Sequence, residues 1–235
     1  MTLRNWILAG LILAVPATSS AQDKKIDFNV GLGATTALGN IADRFGTGLG
    51  GNVGLTINTS ERIGLQIELA NGWMTLKDGY VSPVAVQLPS GAPAAVPPIV
   101  GANHRFTQLN FNVIAKATPP DAKVGVYVIA GGGPYNRKVE ITKYEGTGIV
   151  CDPWLYVCGA YPVSSVLGSR SEWDFGMDVG GGLTFPIGEQ AKFYVETRYH
   201  YLWGQTITKP AAITGANVPT NSNGSYMPVT FGLRF

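Results

Sequence analysis

The sequence predicts an all-β fold, an eight-stranded antiparallel β-barrel that crosses a membrane. Three observations carry this. Charged residues make up only 14% of the 235-residue chain, where a soluble domain carries about 25%. After residue 21 no apolar run approaches the ~20 residues that a membrane-crossing helix needs. Instead, apolar residues alternate with small or polar ones in about eight segments, the period of a strand whose two faces meet different environments. The 31 Gly and 15 Pro are interspersed with this alternation, which argues against disorder and against collagen. A formal net charge of +2 offers no basic patch to a nucleic acid, so no such partner is expected.

The first segment sets Ile26, Phe28, Val30, Leu32 and Ala34 against Asp27, Asn29, Gly31 and Gly33, and leads into a short connection, LGNIADRFGT. The second sets Val53, Leu55 and Ile57 against Asn52, Gly54 and Thr56. After a turn over 58–62, the third sets Ile63, Leu65, Ile67, Leu69 and Trp73 against Gly64, Gln66, Glu68 and Ala70. The fourth sets Thr107, Leu109, Phe111, Val113 and Ala115 against Gln108, Asn110, Asn112 and Lys116, and ends at Pro119, Pro120 and Asp121. The fifth, 124–135, is apolar on both faces at Tyr127 and Ile129, which leaves its phase open. The sixth sets Trp173, Phe175, Met177, Val179, Leu183 and Phe185 against Asp174, Gly176, Asp178, Gly180, Gly182 and Thr184. Past the turn PIGEQ, the seventh sets Phe193, Val195, Thr197, Tyr199, Tyr201 and Trp203 against Lys192, Tyr194, Glu196, Arg198, His200 and Leu202. The last sets Met227, Val229, Phe231, Leu233 and Phe235 against Tyr226, Pro228, Thr230, Gly232 and Arg234.

Each segment is about as long as a tilted strand needs to be to cross a bilayer. Short turns follow the second, fourth and sixth, and long links, 75–103 and 143–169 among them, follow the third, fifth and seventh. Short turns at one end and long loops at the other is the asymmetry of membrane barrels. A soluble sandwich or lipocalin-like barrel also alternates, with its apolar face inward. The aromatics decide between them: Trp73, Trp173, Tyr201 and Trp203 fall near one end of the apolar face, and Phe28, Phe185, Phe193 and Phe235 near the other. Two such girdles are expected where that face meets lipid.

Inward Glu68, Asp178, Glu196, Arg198, Lys116 and Arg234 carry both signs. An eight-strand barrel is only wide enough for its own side chains, so opposite charges at similar depth should pair. An ion-pair network of Glu68, Asp178, Glu196 and Arg198 is therefore expected, with Arg198 bridging Glu68, Glu196 or both. The rival reading is the lining or gate of a selective pore.

Residues 1–21 begin with Arg4, run apolar from Trp6 to Val15 and close on small residues, the pattern of a secretory signal peptide cleaved before Gln22. The barrel domain is then 22–235. In an exported chain, Cys151 and Cys158 read as a disulfide. Closing so small a ring contributes about 2.5 kcal/mol, enough to order a loop tip. Metal ligation would need more partners than two thiols and two scattered His supply, and no cofactor is expected.

The terminal segment YMPVTFGLRF, with Phe231 and the final Phe235, resembles the C-terminal assembly signal of bacterial outer-membrane proteins. FYVETRYHYLWG resembles the penultimate strand of small outer-membrane barrels of the OmpA, OmpX and OmpW kind. The resemblance implies eight strands, periplasmic termini, long extracellular loops and a bacterial outer-membrane location. Its implied partners are outer-membrane lipid, lipopolysaccharide and the outer-membrane assembly machinery. It implies no activity, because that family spans adhesins, structural anchors and small-solute pores. Since the pattern runs to Phe235, no peptidoglycan-binding module is expected.

The Gly runs 131–133 and 180–182 lack the Lys-Ser/Thr and helical context of a phosphate loop, and read as room for bulky neighbours. A lipid A deacylase would need a His and a Ser together on the lipid-facing side. His200 lies on the inward face, and His104 sits just before the fourth segment with no evident Ser, so no enzyme is expected. The Pro-rich stretch 75–103 either presents a surface to an extracellular ligand or is passive cover. The Cys-bearing stretch 143–169 carries Trp154, Leu155 and Tyr156, which either anchor such a ligand or pack on neighbouring loops. The expected role is structural or surface-interacting, with a narrow channel for small or hydrophobic solutes as the alternative.

Overall fold

In the computed structural model, which describes residues 25–77, 101–119, 122–152, 157–188, 190–209 and 218–235, the alternating segments pair into one closed wall. The strands are β1 (Ile26–Leu38), β2 (Gly48–Asn58), β3 (Ile63–Thr75), β4 (Gly101–Lys116), β5 (Gly125–Asp152), β6 (Val157–Ile187), β7 (Ala191–Trp203), β8 (Thr206–Lys209), β9 (Val218–Asn221) and β10 (Gly224–Arg234). A short helix, α1 (Gly39–Ala42), follows β1. Among the described residues, eight strands close an antiparallel barrel in the order β1-β10-β7-β6-β5-β4-β3-β2, while β8 and β9 form a separate small sheet. Phe28 and Phe235 seal the seam by exchanging backbone bonds of 3.1 and 2.8 Å. Closure leaves no edge unpaired, the condition for a sheet to lie in lipid.

The short turns gather at one end of the barrel, here called the turn end, and the opposite end is the mouth. At 58–63 the Thr59 and Ser60 N–H groups donate to Ile63 O. The last short turn uses Gly188 at φ +70°, a left-handed position that suits glycine. Leu69, Phe111, Trp173, Phe175 and Val179 stand exposed on the outside, while Gln66, Glu68, Asn110, Asn112 and Asp178 are buried within. On β5, Tyr127 and Ile129 point inward, and Val126 and Val128 point out. The Tyr127 hydroxyl accounts for that phase: inside, it donates to Glu196 Oε2 at 2.8 Å, whereas lipid has no acceptor to offer.

The glycines make the narrow interior possible. A Cβ at Gly182 would lie 2.5 Å from the Tyr127 hydroxyl, one at Gly176 would lie 2.7 Å from the Tyr135 ring, and one at Gly72 would lie 2.3 Å from Phe106 Cζ. Gly31 and Gly232 flank the Tyr194 ring in the same way, at 2.3 and 2.5 Å. Large inward rings thus lie across side-chain-free stretches of the neighbouring strands.

Two expectations are corrected. The segment 143–169 is not an irregular loop: β5 and β6 run on as a paired ribbon as far as Asp152 and Val157, with register shifts at Ile141/Thr142 and Tyr144/Gly146. Beyond the bilayer neither ribbon face has to be apolar, so the period-two signal fades although the backbone still pairs. His104 lies inside β4, which starts at Gly101, and is buried there. The expected signal peptide over 1–21, residues 78–100 of the stretch 75–103, and Trp154, Leu155 and Tyr156 lie outside the described residues.

Candidate functional site

The interior is the part of the molecule with the most chemistry, and it is built in three tiers. Nearest the turn end, the Arg234 guanidinium lies over the rings of Tyr127 (5.0 Å) and Tyr194 (5.5 Å). Ile114, Tyr127 and Ile129 pack together beside it. Lys116 donates to Asn58 Oδ1 at 2.9 Å, and Asn58 donates to Asp27 at the same distance.

The middle tier brings Glu68, Asp178, Glu196 and Arg198 together. Arg198 grips Glu68 with two parallel bonds of 2.8 Å from Nη1 and Nη2. Its Nε donates to Glu196 Oε1 at 2.7 Å, and its Nη1 stands 3.5 Å from Asp178 Oδ1. All four residues are buried. Asn52 donates to Glu68 at 2.7 Å and accepts from the Tyr194 hydroxyl at 3.1 Å, so the ion pairs are tied into the neutral wall. With the Asn112 nitrogen turned to Asp178 Oδ2, 3.3 Å away, its oxygen accepts from Arg198 Nη1 at 3.1 Å. Gly180, opposite Arg198 on β6, leaves room for the guanidinium stem, since a Cβ there would lie 2.9 Å from Arg198 Cγ. Bidentate Arg–carboxylate bonds are among the strongest a side chain makes, and here they join β3 and β7 across the lumen.

The mouth tier is a column of rings. Phe45, in the connection after α1, packs on His104 with centroids 5.1 Å apart, and His104 meets Phe106 at 6.2 Å. Phe106 lies 4.3 Å from Tyr226, and Tyr226 stacks on His200 at 4.6 Å with the rings 4° from parallel. His200 Nδ1 and the Tyr135 hydroxyl share a bond of 3.0 Å, and Tyr226 donates to Gln108. Ile41 and Met74 complete this apolar cluster, and Arg137 pairs with Asp174 beside it. Thus α1, which the sequence shows only as a short connection, turns Ile41 and Phe45 into the barrel. Between network and column lies a cavity of about 30 Å³, lined in part by Thr35, Gly50, Gln108 and Thr230. That is room for a water or two and not for a solute.

Elsewhere, backbone register sets Cys151 directly opposite Cys158. Phe231 and Phe235 face outward at 50% and 42% exposure, with Phe231 6.5 Å from Phe193 in the turn-end girdle. The aromatic column was not legible in the sequence. Tyr135, His200 and Tyr226 all sit at inward positions, but nothing in a linear pattern says that they meet.

A family model described as an outer membrane protein beta-barrel domain matches residues 7–234. No curated protein matches the chain. Among solved structures, Neisserial surface protein A is similar at TM-score 0.46 and 11% identity, over 90% of this chain and 96% of that one. Ail, the attachment invasion locus protein of Yersinia pestis, is similar at TM-score 0.42 and 12% identity, over 89% and 97%. The outer membrane protease OmpT of Escherichia coli is similar at TM-score 0.41 and 11% identity, over 93% and 99%.

Proposed function

Since the chain belongs to the outer membrane protein beta-barrel domain family and resides in the bacterial outer membrane, we propose that it is a non-conducting barrel with a structural or surface-interaction role. The observation that carries this reading is the occupied lumen: cation–π contacts near the turns, four charged residues bonded across the middle, and a ring column at the mouth. An eight-strand barrel has space for such a filling and little else. Catalysis has no support in the histidines, because His104 and His200 both lie inside among aromatic rings and neither is on the lipid-facing wall.

In this reading the turn end and both termini are periplasmic. The β5–β6 ribbon stands outside the cell, as the element that meets extracellular partners. A bridge between Cys151 and Cys158 fits their opposed register, since antiparallel partners lie about 4.5–5.5 Å apart at Cα, within disulfide range. It would clamp the ribbon tip. Alkylation of protein taken from the cell surface, without reduction, is expected to label neither Cys, and two labelled thiols would refute the bridge. Phe231 and Phe235 serve in this reading as the assembly signal.

Planar-bilayer recording on the refolded protein tests the main claim. The expected trace is flat, with no steady conductance at any applied voltage. A large, steady current through unaltered protein would overturn the closed-lumen reading and leave the narrow channel in its place.

A further inference from the structure

At the turn end, three side chains stand in a fixed order that the ion-pair network does not use. Asn58 closes β2, Lys116 closes β4, and Asp27 lies near the start of β1. Lys116 Nζ donates to Asn58 Oδ1 at 2.9 Å, and Asn58 Nδ2 donates to Asp27 Oδ2, also at 2.9 Å. The amide thus shows its acyl oxygen to an amine and its nitrogen to a carboxylate. The two neighbours fix this orientation, because the reverse would set donor against donor and acceptor against acceptor. All three side chains are half-buried. The backbone holds both reacting ends: the Asn58 N–H donates to Lys25 O at 2.8 Å, and the Lys116 N–H donates to Arg62 O at 2.7 Å. On β3, between the two strands, the register partner of Asn58 is Gly64. A Cβ there would lie 3.2 Å from Asn58 Oδ1, so the glycine keeps the acyl side of the amide uncovered.

We infer that Lys116 and Asn58 are a self-modification site, joined by an isopeptide bond that the folded barrel forms with Asp27 as proton carrier. The carbon to be attacked lies about 1.2 Å beyond the oxygen that Lys116 already touches, and fixed proximity of this kind is itself a large part of a barrier. Lysine, unlike arginine, can act as a free amine. Its nitrogen bonds to Asn58 Cγ while the carbonyl electron pair moves onto Oδ1. An amide nitrogen leaves poorly unless it is protonated, and Asp27 already holds that nitrogen. Once both nitrogens share one carbon, the same carboxylate is within reach of each. It takes the proton that the attacking nitrogen sheds and delivers it to the leaving one. The carbonyl re-forms, the old C–N bond breaks and ammonia departs. One amine and one amide become a secondary amide and ammonia, with no oxidant and no cofactor, and Asp27 ends as it began. The bond ties β2 to β4 across β3 and closes a loop whose ends lie 58 residues apart. It restricts the unfolded chain as a disulfide does, without needing an oxidising compartment.

The bond forms or fails to form whichever way the barrel faces and whether or not it conducts. Tandem mass spectrometry of a tryptic digest reads it directly, on wild-type protein purified from outer membranes and then denatured. Trypsin does not cut after an acylated lysine, so segments 45–62 and 106–123 should appear as one joined species. That species should be lighter than the sum of the two by one ammonia. Digests in which 106–116 is chiefly free would overturn the inference. So would loss of ammonia within 45–62 alone, which marks closure of Asn58 on its own backbone. Protein produced unfolded should lack the joined species and acquire it after refolding, and joining before folding would overturn the role of the barrel's geometry. Lys116→Arg keeps a cation beside Asn58 and is expected to abolish joining. When boiled, it should also run apart from boiled wild type, whose loop stays closed; equal mobility would count against the bond. Asp27→Asn is expected to slow joining by roughly 100-fold or more, and an unchanged rate would overturn Asp27 as proton carrier. A heat-dependent gel shift reports that each variant has folded.

Discussion

Arg198→Ala lowers the barrel's unfolding free energy by about 3–5 kcal/mol, the cost of breaking a buried ion pair by removing one partner. The guanidinium touches Glu68, Glu196 and Asp178, and all three carboxylates are buried. Without it three negative charges face one another in a narrow tube, with Asn52 and Tyr127 the remaining donors to Glu68 and Glu196. Arg198→Lys falls short of rescue, because an ammonium is a point charge without the fork that grips both Glu68 oxygens. Adding Glu68→Gln to Arg198→Ala restores part of the loss by removing one of the stranded charges. Denaturant unfolding in lipid vesicles measures all three variants. If Arg198→Ala unfolds at the wild-type midpoint, the network is not what holds β3 to β7.

Tyr226→Ala is the second large effect, with a cost of about 3–5 kcal/mol by analogy with Phe→Ala in a packed core. The Tyr226 ring is 1% exposed and lies between Phe106 and His200. Tyr226 also lines the small cavity, so its truncation merges that space with the volume of the lost ring. Tyr226→Phe keeps the stack and removes only the bond to Gln108, at a cost of about 1 kcal/mol. A large gap between Ala and Phe at this position identifies ring packing as the source of stability. Equal effects would instead place it in the hydroxyl. Neither Tyr226→Ala nor Arg198→Ala opens a path by itself, because each leaves the other tier in place. Even the double variant keeps Arg234 over Tyr127 and Tyr194 at the turn end, so planar bilayers are expected to show no steady conductance through it either.

Where the two faces of a strand meet lipid and a crowded interior, the chain's pattern was readable residue by residue. Alternation alone places Glu68, Asp178, Glu196 and Arg198 on the inward face, and all four are buried inside the barrel. Where environment stops dictating pattern, reading failed. The β5–β6 ribbon continues by backbone hydrogen bonds between strands, which any side chains permit. On β5, Tyr127 and Ile129 had no polar neighbour in sequence to mark them as inward, and the acceptor that draws Tyr127 inside belongs to Glu196, on another strand.

By itself the sequence determined the all-β class, the number of barrel strands and, outside β5, the face that the barrel residues present, because these follow from a period of two and from turn residues, which are local. Only the tertiary structure decided which inward groups meet. Arg198 reaches Glu68 from a position 130 residues away. Ile41 and Phe45 fold back into the mouth, and Phe106, Tyr226 and His200 stack from three strands into one column. Such contacts depend on barrel closure and strand stagger, which set depth and angle around the wall, and neither quantity is encoded in the spacing along any single strand.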